Sequence, residues 1–303
     1  MANRFLDVSG PFDSPRQLIE TVDDGRTSAG ENVLSVAASI TSSAPIRITD
    51  GTDVANITAD GALQVQDRFL AIAKGEVASH SLVLKFGRNP DIDASVEETV
   101  WEGGGLYPFD TTAQSLEILS SNAADAAAGT GARTMTVIGL DANYVYKSEV
   151  VTLNGTNAVA LTGTWIRVHR CSVATAGTGE VNAGTITIRI AGGGATRLVV
   201  GVGNGQTLMA VYTIPANTTG YVLRYYGSAN AQTTAYVDVK LFTRSSTGVI
   251  NLKHQQATAS GFFDYRYGAP FAVSQKTDIY LNATSSANNT DVCGGFDIVL
   301  VAA

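Results

Sequence analysis

Glu149-Val150-Val151-Thr152-Leu153, then Asn154-Gly155, then Thr156-Asn157-Ala158-Val159-Ala160-Leu161 is the stretch on which the fold of this 303-residue chain turns. Two short apolar runs flank an Asn-Gly pair, and those two residues accept the positive φ that a tight turn demands. The pattern reads as a β-hairpin. The same texture repeats outward from it. Residues 81–86, 185–190, 221–226, 235–242 and 296–301 each read as a strand, and Trp165-Ile166-Arg167-Val168-His169-Arg170-Cys171 alternates large apolar with charged residues. Helical periodicity is nearly absent after residue 80, where residues 113–119 are the best candidate. Many short strands joined by Gly, Asn and Ser turns imply an all-β protein, a two-sheet jelly-roll-like β-sandwich.

The N-terminal part reads differently. Ser14-Pro15 opens a short helix over residues 14–20, residues 30–43 read as an extended arm, and Asp50-Gly51 and Asp60-Gly61 mark turns of a small β-meander. Residues 66–75 read as a short helix or a linker. The expected organisation is an N-terminal arm and small β-meander over residues 1–75, serving as an anchor, and a β-sandwich domain over residues 76–303.

Composition excludes several classes. Only 16% of residues are charged, 31 are glycine, and the mean hydropathy is +0.10. Such a chain is too apolar for a disordered protein, yet it holds no run of about 18 apolar residues to span a membrane. A net charge of −7 gives no electrostatic hold on nucleic acid. The charge is also divided, at −11 over residues 1–150 and +4 over residues 151–303. That division suits contacts between copies or with a charged partner. Met1-Ala2-Asn3-Arg4-Phe5-Leu6-Asp7 lacks the pattern of a secretory signal, so assembly in a cytoplasm is expected. The two cysteines, Cys171 and Cys293, read as reduced thiols.

Candidate chemistry is sparse. Asp91 and Asp93, with Glu97, Glu98 and Glu102 nearby, form the densest acidic stretch and are the pair to test for calcium. Ala94, however, stands where an EF-hand-type loop needs glycine, and a solvated loop or a subunit contact is the plainer reading. The glycine tracts at 103–105, 192–194 and 201–205 lack the Lys-Ser/Thr of a phosphate loop and read as turns. His80, His169 and His254 belong to no hydrolase or metal motif, and His169 reads as outward-facing or at an interface. The run Phe262-Phe263-Asp264-Tyr265-Arg266-Tyr267 lacks alternation, so it stays open between core and a loop at a contact; Tyr and Arg are favoured at interfaces. Phe262, Phe263, Tyr265, Arg266 and Tyr267, together with Asp91 and Asp93, are the interface candidates. No catalytic residue, metal site or cofactor is assigned.

Several pieces occur in a specific order: Gly87-Arg88-Asn89-Pro90-Asp91-Ile92-Asp93, Glu98-Thr99-Val100-Trp101-Glu102-Gly103-Gly104-Gly105-Leu106-Tyr107-Pro108-Phe109, Gly129-Thr130-Gly131-Ala132-Arg133-Thr134, Gly139-Leu140-Asp141-Ala142-Asn143-Tyr144, Val151-Thr152-Leu153-Asn154-Gly155-Thr156 and Gln206-Thr207-Leu208-Met209-Ala210-Val211-Tyr212-Thr213-Ile214-Pro215-Ala216. With them, residues 87–220 resemble a family of virion structural proteins of tailed bacteriophages. The resemblance implies a non-enzymatic component of the particle. With the low charge and the small N-terminal module, it leads to the expectation of a capsid decoration or cement protein. Its partner would be the major capsid protein, bound as a homo-oligomer such as a trimer, with no nucleic acid and no membrane. It would reside in the virion after assembly in the host bacterial cytoplasm. The alternative is a neck or tail protein that anchors fibres or contacts host receptor glycans.

Overall fold

The computed structural model describes residues 68–230, 235–259 and 261–303. The expected helix at 14–20, the arm and the meander fall outside the described residues, as does most of the 1–75 segment. In chain order the elements begin with a short helix, α1 (Arg68–Ala73), then β1 (His80–Ile92), β2 (Glu97–Thr99), β3 (Gln114–Ser120), β4 (Ala132–Leu140) and β5 (Tyr146–Thr152). Next come β6 (Val159–Trp165), β7 (Arg167–Ala176), β8 (Ile186–Ile190), β9 (Thr196–Val200) and β10 (Val211–Thr213). The last six are β11 (Thr218–Asn230), β12 (Val237–Arg244), β13 (Ile250–Thr258), β14 (Gly261–Val273), β15 (Asp278–Ser285) and β16 (Thr290–Ala302).

These strands build an all-β sandwich fold with two separate cores. One sheet has the order β1-β16-β11-β14, and the sheet facing it has the order β10-β15-β12-β13, with β2 also paired to β15. Thr99 of β2 sits opposite Asn282 and Val211 of β10 opposite Tyr280, so the two short strands lie end to end along β15. At the break, Val100 N–H donates to the Leu281 carbonyl at 2.9 Å and Ala210 N–H donates to the Val100 carbonyl at 2.9 Å. The chain therefore leaves one strand at Val100 and re-enters it at Ala210. Counted as one strand, β2/β10 completes a set of eight that pair first with last: β1 with β16, β2/β10 with β15, β11 with β14, β12 with β13. A ribbon folded in half at residues 245–249 and wound into two sheets is a jelly roll.

The excursion between Val100 and Ala210 carries the second sandwich, with sheets β6-β3-β8-β9 and β5-β4-β7. Each sandwich has its own core. Ile92, Val222, Tyr225, Leu241, Leu281, Phe296 and Ile298 fill the jelly roll. Ile118, Met135, Val137, Trp165, Ile188 and Leu198 fill the insert. The alternation that gave the strands away is the burial pattern itself: β12 reads buried, half-buried, buried along its whole length.

Three local expectations are corrected. Residues 113–119 are not helical but lie in β3, because Leu116 and Ile118 face the insert core. The Asn154-Gly155 pair does turn the chain, with Gly155 at φ +61°, but β5 and β6 belong to different sheets and form no hairpin. Its backbone docks instead on the 120–126 loop, with Gly155 N–H donating to the Asp125 carbonyl at 2.7 Å and Ser120 N–H to the Gly155 carbonyl at 2.9 Å. Finally, Trp165 to Cys171 is not one strand. β6 ends at Trp165 and β7 begins at Arg167 in the other sheet.

Candidate functional site

At one side of the jelly roll β1 closes against β2/β10. Gly87 of β1 is required there, since a Cβ would collide with the Ala210 amide nitrogen and the Val100 carbonyl oxygen. Among the described residues nothing pairs with the opposite side. There β13 and β14 end their sheets, and the candidates Phe262, Phe263, Tyr265, Arg266 and Tyr267 lie on it. Residues 262–267 are strand rather than loop. Their alternation is hidden in the sequence because both faces carry aromatics. Phe263, Tyr265 and Tyr267 turn toward β13, where the His254 ring lies 4.1 Å from Tyr265 and 5.9 Å from Tyr267. Tyr225, fully buried, carries the cluster inward at 4.8 Å from Phe263. Burial lowers the His254 imidazole below its ordinary value and pushes the Tyr267 phenol up to about 12. On the other face, Asp264 accepts from Arg224 Nε at 2.6 Å, and that hydrogen bond holds its carboxyl below the usual range. Phe262 is 83% exposed.

Asp91 and Asp93 are exposed at the far end of β1. Because β1 and β14 are the two edges of one sheet, with β16 and β11 between, the acidic pair and the aromatic run do not form one patch; they stand about 14 Å apart across the strands. The loop is organised by Glu98, which sequence reading left among nearby acids. Its buried carboxylate accepts from Asn89 Nδ2 at 3.1 Å, Asp93 N–H at 3.1 Å and Gly105 N–H at 2.8 Å. Among the described residues no group of His, Cys, Asp or Glu is placed to hold a metal ion. The glycine tracts sit in turns, as read. Cys171 and Cys293 are both free.

The densest polar construction lies where the insert meets the jelly roll, and most of it was missed. Asp278 at the start of β15 accepts from Arg167 Nε at 3.0 Å and Nη2 at 2.9 Å, from Thr213 Oγ1 at 2.6 Å and from Arg244 Nη1 at 3.2 Å. Arg167 also donates to the Asp110 carbonyl at 2.7 Å, while the Asp110 carboxylate takes two bonds from Arg197, at 2.6 and 2.7 Å. Phe109 lies beneath the guanidinium groups of Arg167 and Arg244. His169, expected to face outward, is buried; its Nε2 accepts from Thr213 N–H at 3.2 Å and its carbonyl from Lys85 Nζ at 2.6 Å. Within the insert, fully buried Asp125 accepts four hydrogen bonds, from Ser120 Oγ and the amides of Ala132, Ala183 and Gly184. The acceptors that these side chains meet belong to the same molecule, which is the arrangement of a joint.

No family model matches the chain, and no curated protein matches it. Solved structures that align with it come from infectious bursal disease virus. The VP2 subviral particle aligns over 74% of this chain and 72% of that one, at 10% identity and a TM-score of 0.21. The Gx strain structure aligns over 74% and 72%, at 9% identity and a TM-score of 0.22. The derived T=1 particles align over 74% and 70%, at 12% identity and a TM-score of 0.20. Superpositions this loose carry no argument about function.

Proposed function

We propose that this chain is a non-enzymatic structural protein of a bacteriophage virion, a decoration or cement protein that binds the major capsid protein lattice as a homo-oligomer and stabilises the head. One observation carries the reading. Of the pieces that resemble phage virion proteins, those at 129–134, 139–144 and 151–156 lie within the insert, whereas those at 87–93, 98–109 and 206–216 border the joint between the two sandwiches. The bordering pieces supply Gly87 at the close approach, Asn89 and Glu98 in the buried knot, Trp101, Tyr107 and Phe109 in the edge-to-face ring stack, and Thr213 on Asp278. Those residues hold the two sandwiches in register, which supports a mechanical role. Residues 1–75 act in this proposal as the anchor to the lattice. The mechanism is mechanical: a protein bound only to the assembled lattice stabilises it by mass action. A neck or tail location is the second reading, since the same rigid body would serve there in fewer copies.

The test compares particles with and without the protein. Heads lacking it are expected to release genome at lower temperature or milder osmotic shock. Identical release profiles would remove the cement role.

A further inference from the structure

We propose that two copies of this chain pair through the outer edge of β14, antiparallel about a two-fold axis at Tyr265, so that the β1-β16-β11-β14 sheet continues across the contact. This deepens the homo-oligomeric part of the function above and rests on that reading only for its setting in a particle.

β14 ends its sheet, and among the described residues no strand pairs with its outer side. Every second residue therefore turns its N–H and C=O outward, a row that natural proteins either cover or blunt. The register with β11 jumps between Val222 and Arg224, leaving residues 267–270 unpaired with it, and Pro270 has no N–H to offer, so bulge and proline are confined to the second half of the strand. The first half, from Gly261 to Arg266, runs in regular register with β11 and is guarded only by the charges of Asp264 and Arg266, which are of opposite sign.

Its sequence is complementary to itself. With Tyr265 opposite Tyr265 of the partner subunit, Asp264 faces Arg266 of the partner subunit and Arg266 faces Asp264 of the partner subunit. Phe263 then meets Tyr267 of the partner subunit. Opposed charges and aromatic pairs directly across strands are the stabilising combinations, and symmetry counts each twice. Charges of one sign would have repelled a second copy. The Arg266 side chain is 76% exposed and holds only a 3.7 Å contact to its own Asp264, so it is positioned to reach across. The neighbouring edge, β13, has Lys253 as its one Lys or Arg and carries no acid, so it offers a copy of itself no such match.

Sedimentation of the purified full chain is expected to show a dimer. R266D sets Asp against Asp264 of the partner subunit and should weaken it about tenfold or more; its circular dichroism should match the wild type, and its melting temperature should fall only as far as the lost mass action of the dimer requires. Lys253→Asp, on β13, should leave the dimer intact. Y265C provides a positional test. Facing residues of antiparallel strands have Cα atoms about 4.5–5.5 Å apart, within disulfide reach, so mild oxidation should yield a covalent dimer that the wild type does not form. A wild-type chain monomeric at about 100 μM, an R266D variant that associates as tightly as wild type, or a Y265C variant that fails to cross-link would each overturn the pairing. Coverage of β14 by residues 1–67 of the same chain would give a monomer and no cross-link, and so would count against the pairing. None of these outcomes bears on copy number in the particle, which tests the function separately.

Discussion

Lys85 enters the protein interior with a single carbonyl, that of His169, as hydrogen-bond partner and no carboxylate beside it. Burial, reinforced by the Arg170 charge, lowers its ammonium from 10.5 to about 7. His169 is held well below its ordinary value, first by burial and then by the charges of Lys85 and Arg167. In both cases the folded state binds fewer protons than the unfolded one, so stability rises with pH across the gap between the two values. For Lys85 that window runs from about 7 to 10.5; for His169 it opens below pH 6.5. Denaturant melts are thus expected to show stability climbing from pH 7 to about pH 8.5, above which the thiol of Cys171, pushed up by burial, titrates first in the unfolded chain and opposes the rise; Lys85→Met should flatten the slope below that point. An unchanged slope in the variant would contradict the assignment. Asp278 and Arg167 form a buried pair, in which two of the hydrogen bonds that Asp278 accepts come from Arg167. Asp278→Ala should cost about 3–5 kcal/mol, because it strands a buried guanidinium, while the double replacement Asp278→Ala with Arg167→Met should cost less than the sum. A double-mutant cycle by thermal melting reads this directly; additive losses would contradict it.

At the scale of elements, the strands were legible and their partners were not. Period-two alternation marks β8, β11, β12 and β16 because each has one face on a core. It says nothing of which sheet receives the strand, and so Asn154-Gly155 resembled a hairpin turn while its amides were committed to the 120–126 loop. β14 was obscure for the opposite reason, with Phe262 on one face and Phe263 on the other. The joint was least legible. Arg167 and Asp278 lie 111 residues apart, and no local pattern announces their pairing. The split strand has a consequence of its own. Since Ala210 N–H already bonds to the Val100 carbonyl, joining Val100 to Ala210 and removing residues 101–209 should restore one continuous strand. The shortened chain would expose Val211, Phe242 and Tyr280, which the insert core covers. It is therefore expected to fold, by circular dichroism and a cooperative melt, only with those positions made polar. A cooperative fold with the apolar residues retained would contradict the assigned packing.

On the scale of the whole molecule, a jelly roll carrying a second sandwich presents a rigid body with one closed side and, among the described residues, one open side. The closed side and the joint hold residues 87–93, 98–109 and 206–216 of the stretch that resembles phage virion proteins, and the insert holds the rest. The open side carries Phe262, Phe263, Tyr265, Arg266 and Tyr267. An all-β class was readable from 303 residues because short alternating runs leave few alternatives; a role in a particle rests on resemblance and on how that resemblance maps to structure. In the proposed role the chain is a stoichiometric component of the head. The most direct measurement separates virion heads from tails and quantifies this chain against the major capsid protein by mass spectrometry. The account predicts a fixed fraction of the capsid protein, travelling with heads. A handful of copies per particle, travelling with tails, would contradict it.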